Sequence, residues 1–374
     1  MTPRDHATNA SRDDGGAIED SSYLEGLANA LRVRSLVVGV GGAGNNTVSR
    51  LHELGCEDLD TLALNTDAQD LYHAAANHKV LLGKRLVGGR GSGNDPGRGR
   101  LAAEEDVERI GDLLERDVVF LTCGLGGGTG TGATPVVARE AKRRGALVVA
   151  ACTLPFRAEG YVKKMRAYLG LRELAKWADA VIPVPNESLL NLLHRPGLSL
   201  VQGFRVMDEI LIRTIRGIAG VAAPCQLVNV DVGDLVALLS RRSELGKFGA
   251  NAGFVGLGHF RADDPPEEIE SKTARAYHNP LAQVNPGSVR GCLASVRVGL
   301  KASLRTVSRV VGAVADQLPP GASFKWGVKV DPTMGGRASV TIVGAGASNP
   351  HLELARALVK ASTRRFSKYA EFAL

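Results

Sequence analysis

The chain has 374 residues, 44% of them hydrophobic and 23% charged, with a formal net charge of +7. That length points to two or three domains with room for a sizeable core, and the composition is that of a globular protein rather than a disordered or fibrous one. Aromatics make up only 5% and no basic stripe interleaves with them, so the charge reads as solvated surface with a bias toward phosphate, and no nucleic-acid partner is expected.

Met1 to about Ser22 is polar, mixed in charge and expected to be disordered; it does not look like a signal peptide. A short helix is expected over Tyr23 to Arg32. Strand and helix patterns then alternate: strand Ser35 to Gly39, helix Asn45 to Leu54, strand Thr61 to Leu64, helix Leu101 to Leu114, strand Val118 to Thr122, helix Thr134 to Arg144, and strands Leu147 to Thr153 and Ala180 to Val184. Short apolar strands between helices imply a parallel, doubly wound α/β sheet. Val206, Ile210, Leu211, Ile215 and Ile218 recur at helical spacing, which predicts a long helix over Phe204 to Ala219. Beyond Pro224 the pattern changes. Strands are expected at Gln226 to Val230, Ala252 to Leu257, Cys292 to Val298, Phe324 to Val330 and Ala338 to Val343, with helices at Glu267 to Tyr277 and Ala302 to Asp316. The turn Asp331 to Gly336 joins the last two strands. Asn349 to Leu374 reads as a basic helical tail. The expected domains are therefore a tail at 1–22, a nucleotide domain with the central helix at 23–220, a smaller α+β domain at 221–348 and the basic tail at 349–374. No apolar run reaches the roughly 18 residues of a membrane helix. The five cysteines, Cys56, Cys123, Cys152, Cys225 and Cys292, stand at no metal or redox spacing; a reducing, cytoplasmic setting is expected.

Two glycine-rich segments carry the chemistry. Gly39-Val40-Gly41-Gly42-Ala43-Gly44 matches G-x-G-x-x-G between a strand and a helix, where the backbone can approach a pyrophosphate. Alone it suggests a dinucleotide site, and Asp67 lies where a ribose contact is expected; an NAD-dependent oxidoreductase is the rival it leaves open. Gly124 to Gly132, containing Gly126, Gly127, Gly128, Thr129, Gly130, Thr131 and Gly132, also sits between an apolar strand and a helix. A dinucleotide fold has no need of this second loop, whereas three linked phosphates do. Side-chain-free N–H groups form an anion nest, and Thr129 and Thr131 add hydroxyl donors. The chain contains no G-x-x-x-x-G-K-[ST], which excludes a P-loop NTPase.

Gly-Gly-Gly-Thr-Gly-Thr-Gly at Gly126 to Gly132 resembles the signature loop of the tubulin and FtsZ superfamily. Gly42-Ala43-Gly44-Asn45-Asn46 resembles the first nucleotide loop of the FtsZ family, and Asn65-Thr66-Asp67-Ala68-Gln69 the second. Gly91-Ser92-Gly93-Asn94-Asp95-Pro96 is similar to the loop that senses the γ-phosphate. The similarity runs in order from about Leu36 to Gly346, and Phe204 to Leu211 looks closer to archaeal versions.

This resemblance implies GTP or GDP as ligand with Mg2+, and it implies roles for further residues. Pro155 and Glu159 match the loop that contacts the ribose; Lys163 stands where bacterial FtsZ usually has Arg. Asn186 matches the guanine-binding Asn, Phe204 the aromatic that stacks on the base, and Asp208 the acid that accepts from guanine N1–H and N2–H2. A carboxylate facing that edge selects guanine over adenine. Without the glycine loops, Phe204 reads more readily as core and Asp208 as a solvated helix acid. Gln69 is a metal candidate acting through water. Asn229-Val230-Asp231-Val232-Gly233-Asp234 matches the catalytic N-x-D-x-x-D loop, with Val232 where Phe is common. Asn229, Asp231 and Asp234 are thus the catalytic candidates, the carboxylates orienting water or taking its proton; read locally, Asp231 is an N-cap. In the family this loop serves the next subunit, which implies a head-to-tail homopolymer, with membrane-tethering or division partners, at mid-cell. The alternative is a GTP-binding paralogue with slow hydrolysis and a regulatory or cell-shape role, which Lys163 and Val232 leave open.

Overall fold

The structure, a computed structural model, describes Tyr23 and residues 33–55, 59–188, 200–221, 232–239, 251–278 and 283–365. The side chains at 200, 201, 204, 221, 232, 251 and 359–365 lie outside that description. The expected helix at Tyr23 to Arg32 and strand at Gln226 to Val230 lie largely or wholly outside it too. The strands and helices given below belong to the compact unit Arg34–Leu374.

The first half alternates strand and helix: β1 (Ser35–Val40), α1 (Gly41–Glu53), β2 (Asp60–Asn65), α2 (Ala68–His73), β3 (His78–Leu81), α3 (Lys84–Val87), α4 (Pro96–Glu105), α5 (Val107–Gly111), β4 (Val118–Gly124), α6 (Thr129–Arg143), β5 (Leu147–Leu154), α7 (Tyr161–Leu174) and β6 (Ala180–Pro185). The second half contains α8 (Leu200–Val221), α9 (Val232–Leu239), β7 (Asn251–Arg261), α10 (Pro266–Tyr277), β8 (Gly291–Val298), α11 (Leu304–Ala315), β9 (Ser323–Val330), β10 (Arg337–Ala347) and α12 (Pro350–Arg365).

Ten strands form one sheet in the order β3-β2-β1-β4-β5-β6-β7-β10-β8-β9. From β3 to β6 every pairing is parallel. Among the described residues, β6 meets β7 through two residue pairs, Ala180 with Asn251 and Val181 with Ala252. Antiparallel pairing follows on both sides of β10, and β9 adds in parallel at the edge. The all-apolar run Leu36-Val37-Val38 is buried on both faces of β1 because helices cover both sides of a parallel sheet. One core packs Val38, Leu121 and Ala150 of these strands against Val137 and Leu171 of the helices. A second gathers Phe254, Tyr277, Val296, Val310 and Ile342, with Phe254 and Tyr277 edge to face at 5.5 Å between ring centroids. On the edge strand β9, Lys325 and Lys329 are the kind of side chains that discourage pairing with another sheet. Among the described residues no helix is long and apolar enough to cross a membrane.

Several elements differ from expectation for local reasons. The expected helix Leu101 to Leu114 is two helices. The first starts earlier, at Pro96, where Asp95 caps the N–H groups of Gly97 and Arg98. It breaks at Asp106, whose carboxylate turns away to accept from Gly83 N–H at 2.7 Å. The helices expected from Asn45 and Thr134 begin at Gly41 and Thr129, so each absorbs part of its glycine loop. An unexpected helix, α7, buries Ala167, Tyr168, Leu171 and Leu174 on one side. The first turns of α12 are more than a solvated basic tail: Leu352 and Ala355 are each 1% exposed and belong to the first core.

Candidate functional site

The cleft forms where the sheet order changes direction. The chain leaves β1 for β2 on one side and β4 for β5 on the other, and the crevice at the carboxyl ends of two such strands is where open α/β sheets bind ligands. Both glycine segments empty into it as helix starts. Gly41 takes φ +73°, open to glycine at little cost, and turns β1 directly into α1. The N-cap positions Val40 and Gly128 give no side-chain hydrogen bond to the first turns of α1 and α6. By contrast, Asp67 caps α2 and Asp95 caps α4. Two helix N-termini with uncapped N–H groups therefore face one cavity of about 800 Å3, a size that suits a nucleotide and a polarity that suits its phosphates.

The cavity is lined by Gly41, Gly42, Ala43 and Asn46 from α1, by Gly127 to Gly130 at the head of α6, by Asn65 and Asp67 after β2, and by Gly91, Ser92 and Gly93. Three hydroxyls meet at its floor: Thr129 Oγ1 lies 2.6 Å from Thr66 Oγ1 and 3.1 Å from Ser92 Oγ, tying the loop around Ser92 to the head of α6. Asn65 is 2% exposed, and its Nδ2 has no hydrogen-bond partner. A buried donor left without an acceptor is costly, and a phosphate or ribose oxygen in the cavity would satisfy it.

Gly44, Asn45, Gly126, Thr131 and Gly132 stand behind this lining. Thr131 Oγ1 accepts from Gly126 N–H at 2.8 Å and so braces the turn. A Cβ on Gly132 would lie 1.9 Å from the Pro96 carbonyl oxygen, and one on Gly44 2.3 Å from that of Thr122; these glycines let helices pack close. Asn45 is buried with neither side-chain polar atom bonded.

At the other end stand Pro155, Glu159, Lys163, Asn186 and Asp208. Glu159 accepts from Phe156 N–H at 2.7 Å and is ion-paired with Lys163, four residues on. Asn186 is placed by its own N–H donating to the Leu154 carbonyl at 2.9 Å. Asp208, on α8, accepts from the Thr47 hydroxyl at 2.8 Å. Burial raises its pKa, opposed by the Thr47 hydrogen bond and the Arg50 charge. Phe204 lies on α8 with its side chain outside the described set. Met207 and Leu211, flanking Asp208 on α8, give this end an apolar wall. Sequence reasoning gave no site role of its own to either of them, nor to Thr47, Thr66, Asp70 and Arg90, which also line the cavity. The available signal was spacing: Asp70 is three residues beyond Asp67, and Met207 and Leu211 share the helical repeat of Asp208.

The profile of the tubulin/FtsZ family GTPase domain matches residues 34–194. The cell division protein FtsZ of Methanothermobacter thermautotrophicus is 40% identical over 322 residues, which covers 86% of this chain and 81% of the relative. This chain belongs to the tubulin/FtsZ family. Cell division protein FtsZ 1 of Thermococcus kodakarensis is 38% identical, covering 88% of this chain and 84% of the relative. A structure titled as an empty FtsZ dimer of M. jannaschii superposes with a TM-score of 0.76 at 37% identity, over 88% of this chain and 92% of that one. Membership sets aside the nicotinamide reading of Gly39 to Gly44.

For a tubulin/FtsZ chain the remaining questions are the metal and the catalytic loop. Gln69 is exposed and outside the cavity lining. The carboxylates that line the cavity at this end are Asp67 and Asp70. Among the described residues no group of three or more His, Cys, Asp or Glu could hold a metal. The donor set still fits Mg2+, which is usually held by one or two carboxylates together with phosphate oxygens. Asn229 and Asp231 lie outside the described residues. Asp234 opens α9, which packs on β8 and β10; its carboxylate is ion-paired with Lys325 of β9 and is not part of the cavity lining.

Proposed function

We propose that this chain is a filament-forming GTPase of cell division that stacks head to tail and hydrolyses GTP at the joint between copies. The observation that carries the joint is the placement of Asp234. It rests against β8, five strand positions from β4 in the sheet order, which at ~4.8 Å per strand is about 24 Å. A chain with its cradle at β1 and β4 and a candidate catalytic acid that far away needs a second copy to bring the two together. Such a heterologous contact does not close and so builds filaments.

In this reading the triphosphate lies along the uncapped starts of α1 and α6. Asp208 accepts from guanine N1–H and N2–H2, with Asn186 at the same ring and Phe204 stacked on it. Glu159 accepts from the ribose, while Lys163 orients Glu159. Asp67 and Asp70 would hold Mg2+, which when bound offsets the phosphate charge. Asp231 and Asp234 of the adjacent copy orient a water and take its proton as it attacks the γ-phosphorus. The bond to the β–γ bridging oxygen breaks, and inorganic phosphate leaves. Ser92, hydrogen-bonded to Thr129, loses its phosphate neighbour in that step, which loosens the joint. The slow-hydrolysis alternative is not favoured, since the relatives matched over most of the chain are named cell division proteins. A cytoplasmic filament at the division site, with partners that tether it to the membrane, completes the proposal.

Light scattering tests it. GTP or a non-hydrolysable analogue should raise scattering with Mg2+ present, and with GTP the signal should decay as GDP accumulates. Equal response to GDP, or none to GTP, would contradict it.

A further inference from the structure

Among the described residues four carboxylates line the cavity, Asp67, Asp70, Glu159 and Asp208, against two cations, Arg90 and Lys163. Lys163 is already engaged by Glu159. The guanidinium of Arg90 makes no ion pair or hydrogen bond with any described residue, whereas Arg85 on the same segment is paired with Glu105. A triphosphate brings several negative charges into a cavity whose described lining is already negative in formal charge, so a cation on its wall with no partner among the described residues has an obvious use.

The backbone of Arg90 is held firmly. Its N–H donates to the Val87 carbonyl at 3.2 Å. The neighbouring Gly91 N–H donates to Thr66 O at 3.0 Å, and Gly89 O accepts from Ala68 N–H at 2.9 Å. Arg90 and Asp67 form an isolated antiparallel bridge. These ties place Arg90 beside the residues that follow β2. The base end of the cavity lies beside β6 and α8, four strand positions away, about 19 Å at ~4.8 Å per strand. That span leaves Arg90 at the end where the last phosphate falls, two residues before Ser92.

We infer that Arg90 is a ligand of the terminal phosphate and sets the preference of this chain for GTP over GDP. A guanidinium presents a planar fork that two phosphoryl oxygens can accept together. GDP has no terminal phosphoryl group in that position, so the contact distinguishes the two nucleotides. The inference rests on the proposed nucleotide site.

The test is equilibrium filter binding of radiolabelled GDP and of a non-hydrolysable GTP analogue to the full chain, with Mg2+, below the concentration at which it assembles. Arg90→Leu should weaken the GTP analogue about tenfold, equivalent to ~1.4 kcal/mol, and change GDP affinity less than about twofold. Arg90→Lys should restore part of the difference, since it keeps the charge and loses the fork. Unchanged affinity for both nucleotides would overturn the inference, and if assembly alone failed Arg90 would belong to the contact between copies. An equal fall for both would also overturn it and mark a damaged cavity. Failure of the unaltered chain to bind either nucleotide would overturn the proposed site as well, whereas tight binding by it together with an indifferent Arg90→Leu would overturn Arg90 alone.

Discussion

Asp208 illustrates how much one side chain depends on its surroundings. Burial favours its neutral form and lifts its pKa above the ordinary 3.8, against the pull of Thr47 and Arg50. Guanine offers donors, so only the carboxylate can accept from both. GTP affinity should therefore fall as pH drops through the raised pKa, at a higher pH than an ordinary aspartate would give. The free chain has the opposite sign: with the folded pKa above the unfolded one, this group's contribution to stability is lost as pH rises through that window. Asp208→Asn should weaken GTP about tenfold near neutrality and flatten the acid limb, as read by GTP titrations across pH. An unchanged acid limb would exclude Asp208 from the contact. That Gly41, Gly127, Asn65 and Asp208 share one cavity was legible in the sequence through the spacing of the glycine loops and the family resemblance. Thr47, Asp70 and Met207 were not, because only the meeting of α1, α2 and α8 gives them a common neighbour.

At the level of elements, the glycine segments proved to be helix starts. Sequence reasoning placed the helices four or five residues late, since glycine is a poor helix former in the interior. In a first turn the N–H groups have no partner within the helix, and a missing side chain lets a ligand reach them. The helix α7 was missed although Ala167, Leu171 and Leu174 have helical spacing; Lys163, Lys164, Arg166 and Arg172 break up the pattern around them. It supports a polar bridge to α12. Tyr168 Oη lies 3.0 Å from His351 Nδ1, and His351 Nε2 lies 2.8 Å from Gln283 Oε1. Gln283 in turn donates to Ser188 Oγ at 2.9 Å. A neutral imidazole with its proton on Nε2 satisfies the chain of bonds. Burial, helped by the Lys164 charge, holds the pKa of His351 below its ordinary 6.5. The unfolded chain then takes up a proton near pH 6.5 that the folded chain refuses, so stability should fall as pH drops below that value, until the lower folded pKa is passed. His351→Leu should cost ~1–2 kcal/mol at pH 8 and remove this part of the acid slope. Urea titrations at pH 8 and pH 5.5 measure both, and parallel losses in wild type and variant would contradict the assignment.

Across the whole molecule, the parallel half with its switch point followed from alternating apolar runs and glycine loops. The union of both halves in one sheet did not, because it depends on the pairing of β6 with β7, which no local pattern announces. That long sheet keeps Asp234, paired with Lys325, far from the nucleotide cradle. A molecule built this way should be nearly inert alone and active when stacked. The most direct measurement is GTP turnover per chain as a function of protein concentration, with Asp234→Ala as companion. Specific activity should stay near zero at low concentration and rise steeply above a threshold that coincides with assembly, and the variant should bind GTP and assemble while losing about a hundredfold or more in turnover. A specific activity that is flat from nanomolar to micromolar protein would contradict the account.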